Sequence, residues 1–476
     1  MLVAAIDQGT TATKGLLLAD DGATTPLGTI RHEQILPQEG WVEHDATELL
    51  GNIRRLIETA IAGGAEAVAI ANQGETVVAW DRSTGTPLCN ALVWQDQRTA
   101  AAVEQLRRDG HEAEVRARSG LPLDAYFSAS KLRWMLDHVD GARALLRRGQ
   151  LGLGTTDSYF LERLTGNYAT DVTTAARTAL MNLDSCAWDD RLCEIFGVPR
   201  EALPEIAECD SNFGTLRHAA RALDVKASVV DQIAALYGHG CRRAGDIKAT
   251  FGTGAFALMI SGAERPRTPG IVETVGWVGP DGRIYAADGA VYTAAAALEW
   301  LRRIGLMTDL TELDHLGGSS AISRRLCFVP ALSGLACPHW DRSAAGLWIG
   351  LDQATGRQDL IKAVLEGIAF RMVEVLEALG STPGSLLSVD GGLTRSRYFL
   401  EFFATVARRR LVAHSGSELT AQGAAQLAGG SAMALPVNRS RTVEPGPNQR
   451  FASEWMALFA EARQRSTGWR GVTADA

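Results

Sequence analysis

Three aspartates stand where apolar runs end or turn: Asp7 after Val3-Ala4-Ala5-Ile6, Asp231 after Val229-Val230, and Asp390 after Leu386 to Val389. Asp7 leads into Gln8-Gly9-Thr10-Thr11-Ala12-Thr13-Lys14, after which Gly15 to Ala19 resumes an apolar run, so the segment reads as strand, Gly/Thr turn, strand. Such a hairpin can hold phosphate: glycines let backbone N–H groups approach, threonine hydroxyls donate to the oxygens, and a lysine adds a point charge. Lys14 is one of only five lysines in the chain. A carboxylate beside the hairpin can orient Mg²⁺ through its waters, and a second can accept a proton from an attacking hydroxyl. Taken singly, each aspartate is ordinarily a turn or cap residue. Repetition argues otherwise: Ala249 to Phe251, Gly252-Thr253-Gly254 and Ala255 to Ile260 form a second hairpin of the same kind, and Asp390-Gly391-Gly392 adds a third glycine turn.

Other phosphate devices and catalytic motifs are excluded. The sequence has no GxxxxGK[ST], HExxH, GxSxG or EF-hand loop. Gly252 to Ala257 fits GxGxx[GA], but Leu258-Met259-Ile260 continues it as a strand rather than a helix, which argues against a dinucleotide fingerprint.

The elements that must position these residues alternate between strand and helix in both halves. Helical periodicity is read at 46–62, 99–108, 130–137, 156–165, 290–303, 358–379 and 397–412, with a small-residue helix at 420–427 and strands at 65–71 and 386–389. The class is therefore α/β. The twin hairpins predict two similar halves, divided near Gly238 to Gly240 into 1–239 and 240–476. The 476 residues carry 46% apolar side chains and a net charge of −8, an ordinary globular composition that disfavours nucleic acid or an anionic membrane as partner. Arg302-Arg303 and Arg408-Arg409-Arg410 are read as solvated helix faces. Seven scattered cysteines without a CxxC pair predict reduced thiols, and Met1 to Ile6 reaches Asp7 at once and lacks the basic region of a signal peptide, so a cytoplasmic location is expected. Oligomeric state is left open, a homo-oligomer included.

A resemblance joins these pieces. Asp7-Gln8-Gly9-Thr10-Thr11, Gly40-Trp41-Val42-Glu43-His44-Asp45, Asn72-Gln73-Gly74-Glu75-Thr76, Trp94-Gln95-Asp96-Gln97-Arg98 and Tyr126-Phe127-Ser128 resemble successive signatures of the FGGY carbohydrate kinases, most of all the glycerol kinases. Asp231-Gln232, Phe251-Gly252-Thr253-Gly254, Pro338-His339-Trp340-Asp341 and Asp390-Gly391-Gly392 continue the match in order. The resemblance implies two ribonuclease-H-like (actin-like) domains flanking a deep cleft. It implies that Thr10, Thr11, Thr13 and Lys14 grip the phosphates of ATP from one side, and Gly252, Thr253 and Gly254 from the other. Gly391 and Gly392 lie beside the adenosine, Asp7 orients Mg²⁺ through water, and Asp231 is the base. Glu75, Trp94, Tyr126, Asp231, Gln232 and Phe256 take the positions that hold a small polyol.

Two positions depart from that pattern. Gly74 replaces an expected arginine and Val230 an expected glycine. The first predicts a missing donor fork and a wider pocket. A four- or five-carbon polyol or sugar, such as erythritol, xylitol or a ketose, then competes with glycerol as the acceptor, and Gly74→Arg should restore the preference for glycerol. The second predicts a stiffer presentation of Asp231. A catalytically silent nucleotide-binding relative is the alternative from another class, and the joint presence of Asp7, Lys14 and Asp231 speaks against it.

Overall fold

The computed structural model describes residues 1–218, 221–279, 282–382, 384–415, 418–430, 433–434 and 440–471. Two large sheets dominate it. The first contains β1 (Leu2–Gln8), β2 (Ala12–Ala19), β3 (Thr24–Arg31), β4 (Ala67–Asn72), β5 (Thr215–His218) and β6 (Arg221–Val230) in the order β5-β6-β4-β1-β2-β3. The second contains β7 (Ile247–Phe251), β8 (Ala255–Gly262), β9 (Val272–Gly279), β10 (Gly282–Val291), β11 (Leu387–Asp390), β12 (Leu411–His414) and β13 (Ser440–Val443) in the order β9-β10-β8-β7-β11-β12-β13. Each begins with an antiparallel hairpin, β1–β2 or β7–β8. Each then adds parallel strands on the far side of the hairpin's first strand: β4 and β6 in one, β11 and β12 in the other. The repeated hairpin predicted two similar halves, and this is the twin ribonuclease-H-like arrangement that the family resemblance implied.

Burial explains the apolar runs. Val3 to Ile6 are fully buried, as a strand covered on both faces requires. Alternation sends Ala4 and Ile6 toward Leu49, Ile53 and Ile57 of the helix Ala46–Ala62, while Val3 and Ala5 join a core with Ala421, Ala424 and Ala425 of the helix Leu419–Gly429. That second helix comes late in the chain, yet it packs against β1, β4 and β6 of the first sheet and against the helix Asp231–Gly238. Glycines make the contact between the two helices: a Cβ on Gly238 would overlap the carbonyl oxygen of Leu419, and one on Gly423 that of Ala234.

Two helix expectations change. Residues 290 and 291 belong to β10, and the helix begins at Ala295, because the alanine-rich stretch there hides the end of a strand. The helix expected over 397–412 stops at Ala407, where Arg408 takes a left-handed conformation (φ 51°), and Leu411–His414 enters the second sheet. The arginine run is thus a cap and loop: Arg409 is buried and donates to the Ser385 carbonyl at 2.7 Å, while Arg410 pairs with Glu444 at 2.6 Å. All seven cysteines are free thiols. No helix among the described residues is long and apolar enough to cross a membrane.

Gly423→Ala tests the helix contact. Better helix propensity offers about 1 kcal/mol, whereas overpacking against a backbone carbonyl costs about 1–3 kcal/mol or more, so the variant should unfold at lower urea concentration than wild type. A midpoint equal to or above wild type would show that the helices do not meet at these glycines.

Candidate active site

The parallel strands set the site. Gln8 of β1 and Val230 of β6 both lie opposite Asn72 at the end of β4, so Asp7, the turn Gln73-Gly74-Glu75 and Asp231 converge on one edge of the first sheet. Thr250 of β7 lies opposite Asp390 of β11, which brings the second hairpin and the third glycine turn to the same edge of the other sheet. Ligands in such sheets bind outside the carboxyl ends of the parallel strands.

The first hairpin places Lys14 directly across from Asp7. Thr10 accepts a hydrogen bond from Trp94 Nε1 at 3.0 Å through its hydroxyl, and its carbonyl oxygen lies 3.0 Å from His32 Nε2. Thr11 is exposed at the tip. Thr13 is a correction: it is fully buried, with Oγ1 enclosed and without a partner, because strand alternation turns it to the face opposite Lys14. It cannot reach a phosphate from there. In the second hairpin, the Gly252 and Thr253 carbonyls accept from the first amides of the helix Ala295–Arg303, and a Cβ at Gly254 would lie 2.9 Å from the Val291 carbonyl oxygen. Gly391 has φ 98° and presses on the Phe251 carbonyl, so only glycine fits. Gly391, Gly392, Asp390, Thr394, His414 and Arg441 line a cavity of about 650 Å³.

A second cavity, of about 490 Å³, is walled by Trp94, Tyr126 and Phe256, with Phe127, Tyr292 and Trp340 completing its aromatic surface. Trp94 and Tyr126 meet edge to face with centroids 5.5 Å apart. Trp94 is placed by its backbone N–H, which donates to Thr76 Oγ1 at 3.2 Å. Glu75 is buried with a left-handed backbone (φ 60°), a strained conformation of the kind that collects at functional sites. Its carboxylate accepts from Arg177 Nε at 2.5 Å, and Arg177 Nη1 lies 3.3 Å from Asp288 Oδ2 on β10.

This overturns the reading of Gly74. No space stands open there: a Cβ on residue 74 would lie 2.7 Å from Val230 Cγ2 and 3.8 Å from Arg177 Cγ. The two departures from the family pattern are one compensated contact, with valine filling what glycine vacates. Nor is the guanidinium missing, since Arg177 brings one to Glu75 from a distant loop. Gly74→Arg would force a second cation into an occupied volume.

Asp231 opens the helix Asp231–Gly238 immediately after β6. The turn Asp171 to Ala175 fixes its approach: Asp171 caps that turn by accepting from the Thr173 and Thr174 amides, and Thr173 Oγ1 in turn accepts the Val230 N–H at 2.9 Å. Burial, then repulsion from Asp7 and Glu75, pushes the Asp231 carboxyl up to about 7 despite the opposing charge of Lys248. Burial likewise raises Asp7 to about 6 against the pull of Lys14. Asp390 moves the other way: burial would raise it, but His239, whose Nε2 lies 3.4 Å from Oδ2, and the Lys248 charge bring it down to about 2. Lys248 itself is buried on β7 and donates to Gln232 Oε1 at 2.6 Å, which leaves the amide nitrogen as Gln232's remaining group.

Two family models match the chain: the N-terminal domain of the FGGY family of carbohydrate kinases over residues 2–236, and its C-terminal domain over 247–432. The chain belongs to the FGGY family of carbohydrate kinases. It is 40% identical to a glycerol kinase of Methylorubrum populi over 98% of both chains, and 39% identical to one of Haloferax volcanii over 90% of this chain and 89% of that protein. Among solved structures, the glycerol kinase of Plasmodium falciparum with ADP superposes with a TM-score of 0.91 at 28% identity, covering 98% of each chain.

Three side chains of this FGGY kinase escape a sequence reading: Arg177, Lys248 and Asp288. Each lies inside an element whose local pattern announces only a strand or a turn. Scarcity was the available signal for Lys248, as it was for Lys14.

Two outcomes follow from this geometry. Gly74→Ala should destabilise the protein by about 1–3 kcal/mol through overpacking, and Val230→Gly in the same chain should recover most of that loss. Additive effects in the double variant would dismiss the compensated contact. The second concerns Asp231, whose pKa in the fold lies above its ordinary value of 3.8. A carboxyl shifted upward binds its proton more tightly in the fold than in the unfolded chain, so its penalty on stability grows as pH rises from the unfolded value and is complete above the folded one. Asp231→Asn, which cannot ionise, should therefore melt higher than wild type at about pH 8, and the gain should vanish near about pH 4. An equal gain at both pH values would place its origin elsewhere.

Proposed function

We propose that this carbohydrate kinase transfers the γ-phosphoryl group of ATP to a primary hydroxyl of glycerol or a closely similar small polyol. The observation that carries the reading is Asp231: a buried carboxylate at the start of a helix that follows β6, on the sheet edge that also carries Asp7 of the first hairpin and the turn of Glu75, and held up to about 7 by burial and by the charges of those two carboxylates. Such a group takes the acceptor's proton as the oxygen attacks. Lys14, the amides of the two hairpins and the hydroxyls of Thr10 and Thr11 offset charge on the phosphates, with Gly391 and Gly392 beside the adenosine. The similarity to an ADP-bound glycerol kinase supports the nucleotide assignment.

Asp7 and Asp231 are carboxylates that repel each other where burial already disfavours their charge, a donor set that suits a divalent cation. Among the described residues no three acidic, histidine or cysteine side chains are placed to hold a metal ion together, so the remaining ligands would be waters and phosphate oxygens, as Mg²⁺ prefers. Bound there through the waters of Asp7, Mg²⁺ would supply positive charge against the phosphates.

Acceptor contacts fall to Glu75, Trp94, Tyr126, Asp231, Gln232 and Phe256. The case for a longer polyol rested on a void at residue 74, and Val230 with Arg177 fills it, which supports a glycerol-sized acceptor. The two separate large sheets support a division into 1–239, with the first hairpin, the base and every acceptor residue named but Phe256, and 240–476, with the nucleotide glycines. Seven free thiols support a reducing, cytoplasmic location.

Purified protein with ATP, Mg²⁺ and a panel of glycerol, erythritol, xylitol and ketoses, followed by ADP release, tests the reading: glycerol should give the highest kcat/KM. Asp231→Asn should retain ADP binding and lose roughly 10²- to 10⁴-fold in kcat. With ATP and Mg²⁺ present, kcat/KM should fall as pH drops and Asp231 takes up its proton, with a midpoint below about 7 because the cation's charge favours the carboxylate. Near-normal turnover by Asp231→Asn would remove it from the role of base.

A further inference from the structure

Arg177 and Asp288 face one another across the two halves of the molecule. Arg177 follows the Asp171-capped turn of the first half, and Asp288 lies in β10 of the second sheet. Both line the cavity of about 490 Å³. Their side chains are only 7% and 9% exposed, so neither is an ordinary surface charge. Asp288 Oδ2 is the atom facing Arg177; Oδ1 is buried and has no hydrogen-bond partner. A buried carboxylate oxygen without a partner costs free energy unless something satisfies it. A guanidinium carries five N–H donors, and Glu75 and Asp288 engage Nε and Nη1.

We propose that Arg177 and Asp288 are a specificity-determining pair that reads one hydroxyl of the acceptor, other than the one phosphorylated, from both sides of the cleft. The assignment rests on the polyol-kinase reading. A hydroxyl is at once donor and acceptor: its proton satisfies Asp288 Oδ1, and its oxygen takes an N–H of Arg177. The local charge selects the chemical class. One guanidinium stands against the carboxylates of Glu75 and Asp288, so the pair suits a neutral polyol and repels a sugar acid. Because the two residues come from different halves, the same hydroxyl that confers affinity also draws the halves together, and acceptors lacking it leave the cleft less firmly closed.

Comparing glycerol with propane-1,2-diol and propane-1,3-diol tests this, since each diol retains a primary hydroxyl to phosphorylate and lacks one of the others. Wild type should prefer glycerol over at least one diol by roughly 10- to 100-fold in kcat/KM, the usual weight of a hydrogen bond to a charged group. Asp288→Asn, which leaves Arg177 paired with Glu75 and so keeps the buried cation satisfied, should shrink that ratio about tenfold or more by raising the glycerol KM, with the ATP KM within about twofold of wild type. Arg177→Lys should shrink it too, as a point charge does not reproduce the fork. A purely structural role would depress triol and diols alike. If both ratios survive unchanged in Asp288→Asn, the pair does not read a hydroxyl. If wild type turns over no polyol at all, the polyol reading fails and the pair falls with it.

Discussion

Everything in the cleft depends on how closely two helices cross beneath it. The helices Asp231–Gly238 and Leu419–Gly429 meet where Gly238 and Gly423 each leave room for the other helix's backbone carbonyl. One begins with the candidate base, and the other underlies the three strands β1, β4 and β6 whose ends carry Asp7, Glu75 and Asp231. Since the crossing is apolar and belongs to a core that includes residues of both sheets, it is a fixed joint. A side chain at either glycine would push the two helices apart and move Asp231 with them.

Around that joint the charged groups are arranged at a cost. Taking an ion out of water costs several kcal/mol unless a partner compensates it. Here the compensation is shared: Lys248, its pKa lowered by burial, interacts with Asp390, Asp231 and Asp288, and so links the third glycine turn, the start of the helix Asp231–Gly238 and the aromatic cavity. Arg177 does the same for Glu75 and Asp288. Asp7 and Asp231 are not fully compensated: burial pushes both carboxyls up, against Lys14 for Asp7, and for Asp231 the charges of Asp7 and Glu75 add to it against Lys248. These groups cost the fold stability where they stand, a common trade at active sites.

What could be read from the sequence was whatever local pattern dictates. The two Gly/Thr hairpins, the apolar strands before Asp7 and Asp390, and the helices at 46–62 and 156–165 follow from alternation and periodicity within one segment. Failures came where a distant neighbour decides. Thr13 looks like a phosphate ligand until the register of β2 turns it inward. Gly74 looks like a vacancy until Val230, 156 positions later in the sequence, is seen to occupy it. Arg177 sits in a run that reads as an ordinary capped turn, and nothing nearby in sequence reveals that its partners are Glu75 and Asp288. Departures from a family pattern carry meaning in pairs, and the second member is visible only in space.

The links that cross the cleft differ in kind from the joint below it. Arg177 to Asp288 at 3.3 Å is polar and buried, and Lys248 to Gln232 at 2.6 Å is polar and part-buried; Arg342 to Asp124, at 3.5 Å, is 60% and 26% exposed. An exposed ion pair contributes little in water, and a buried one roughly balances the desolvation of its members. Such links hold the halves in register without locking them, so closure must be completed by what lies between them. A phosphoryl-transfer enzyme needs that behaviour: a cleft that closed by itself would admit no substrate, and one that stayed open with ATP bound would let water attack in place of the acceptor. The permanent apolar crossing supplies the alignment, and the marginal polar links leave the final closing free energy to nucleotide and acceptor.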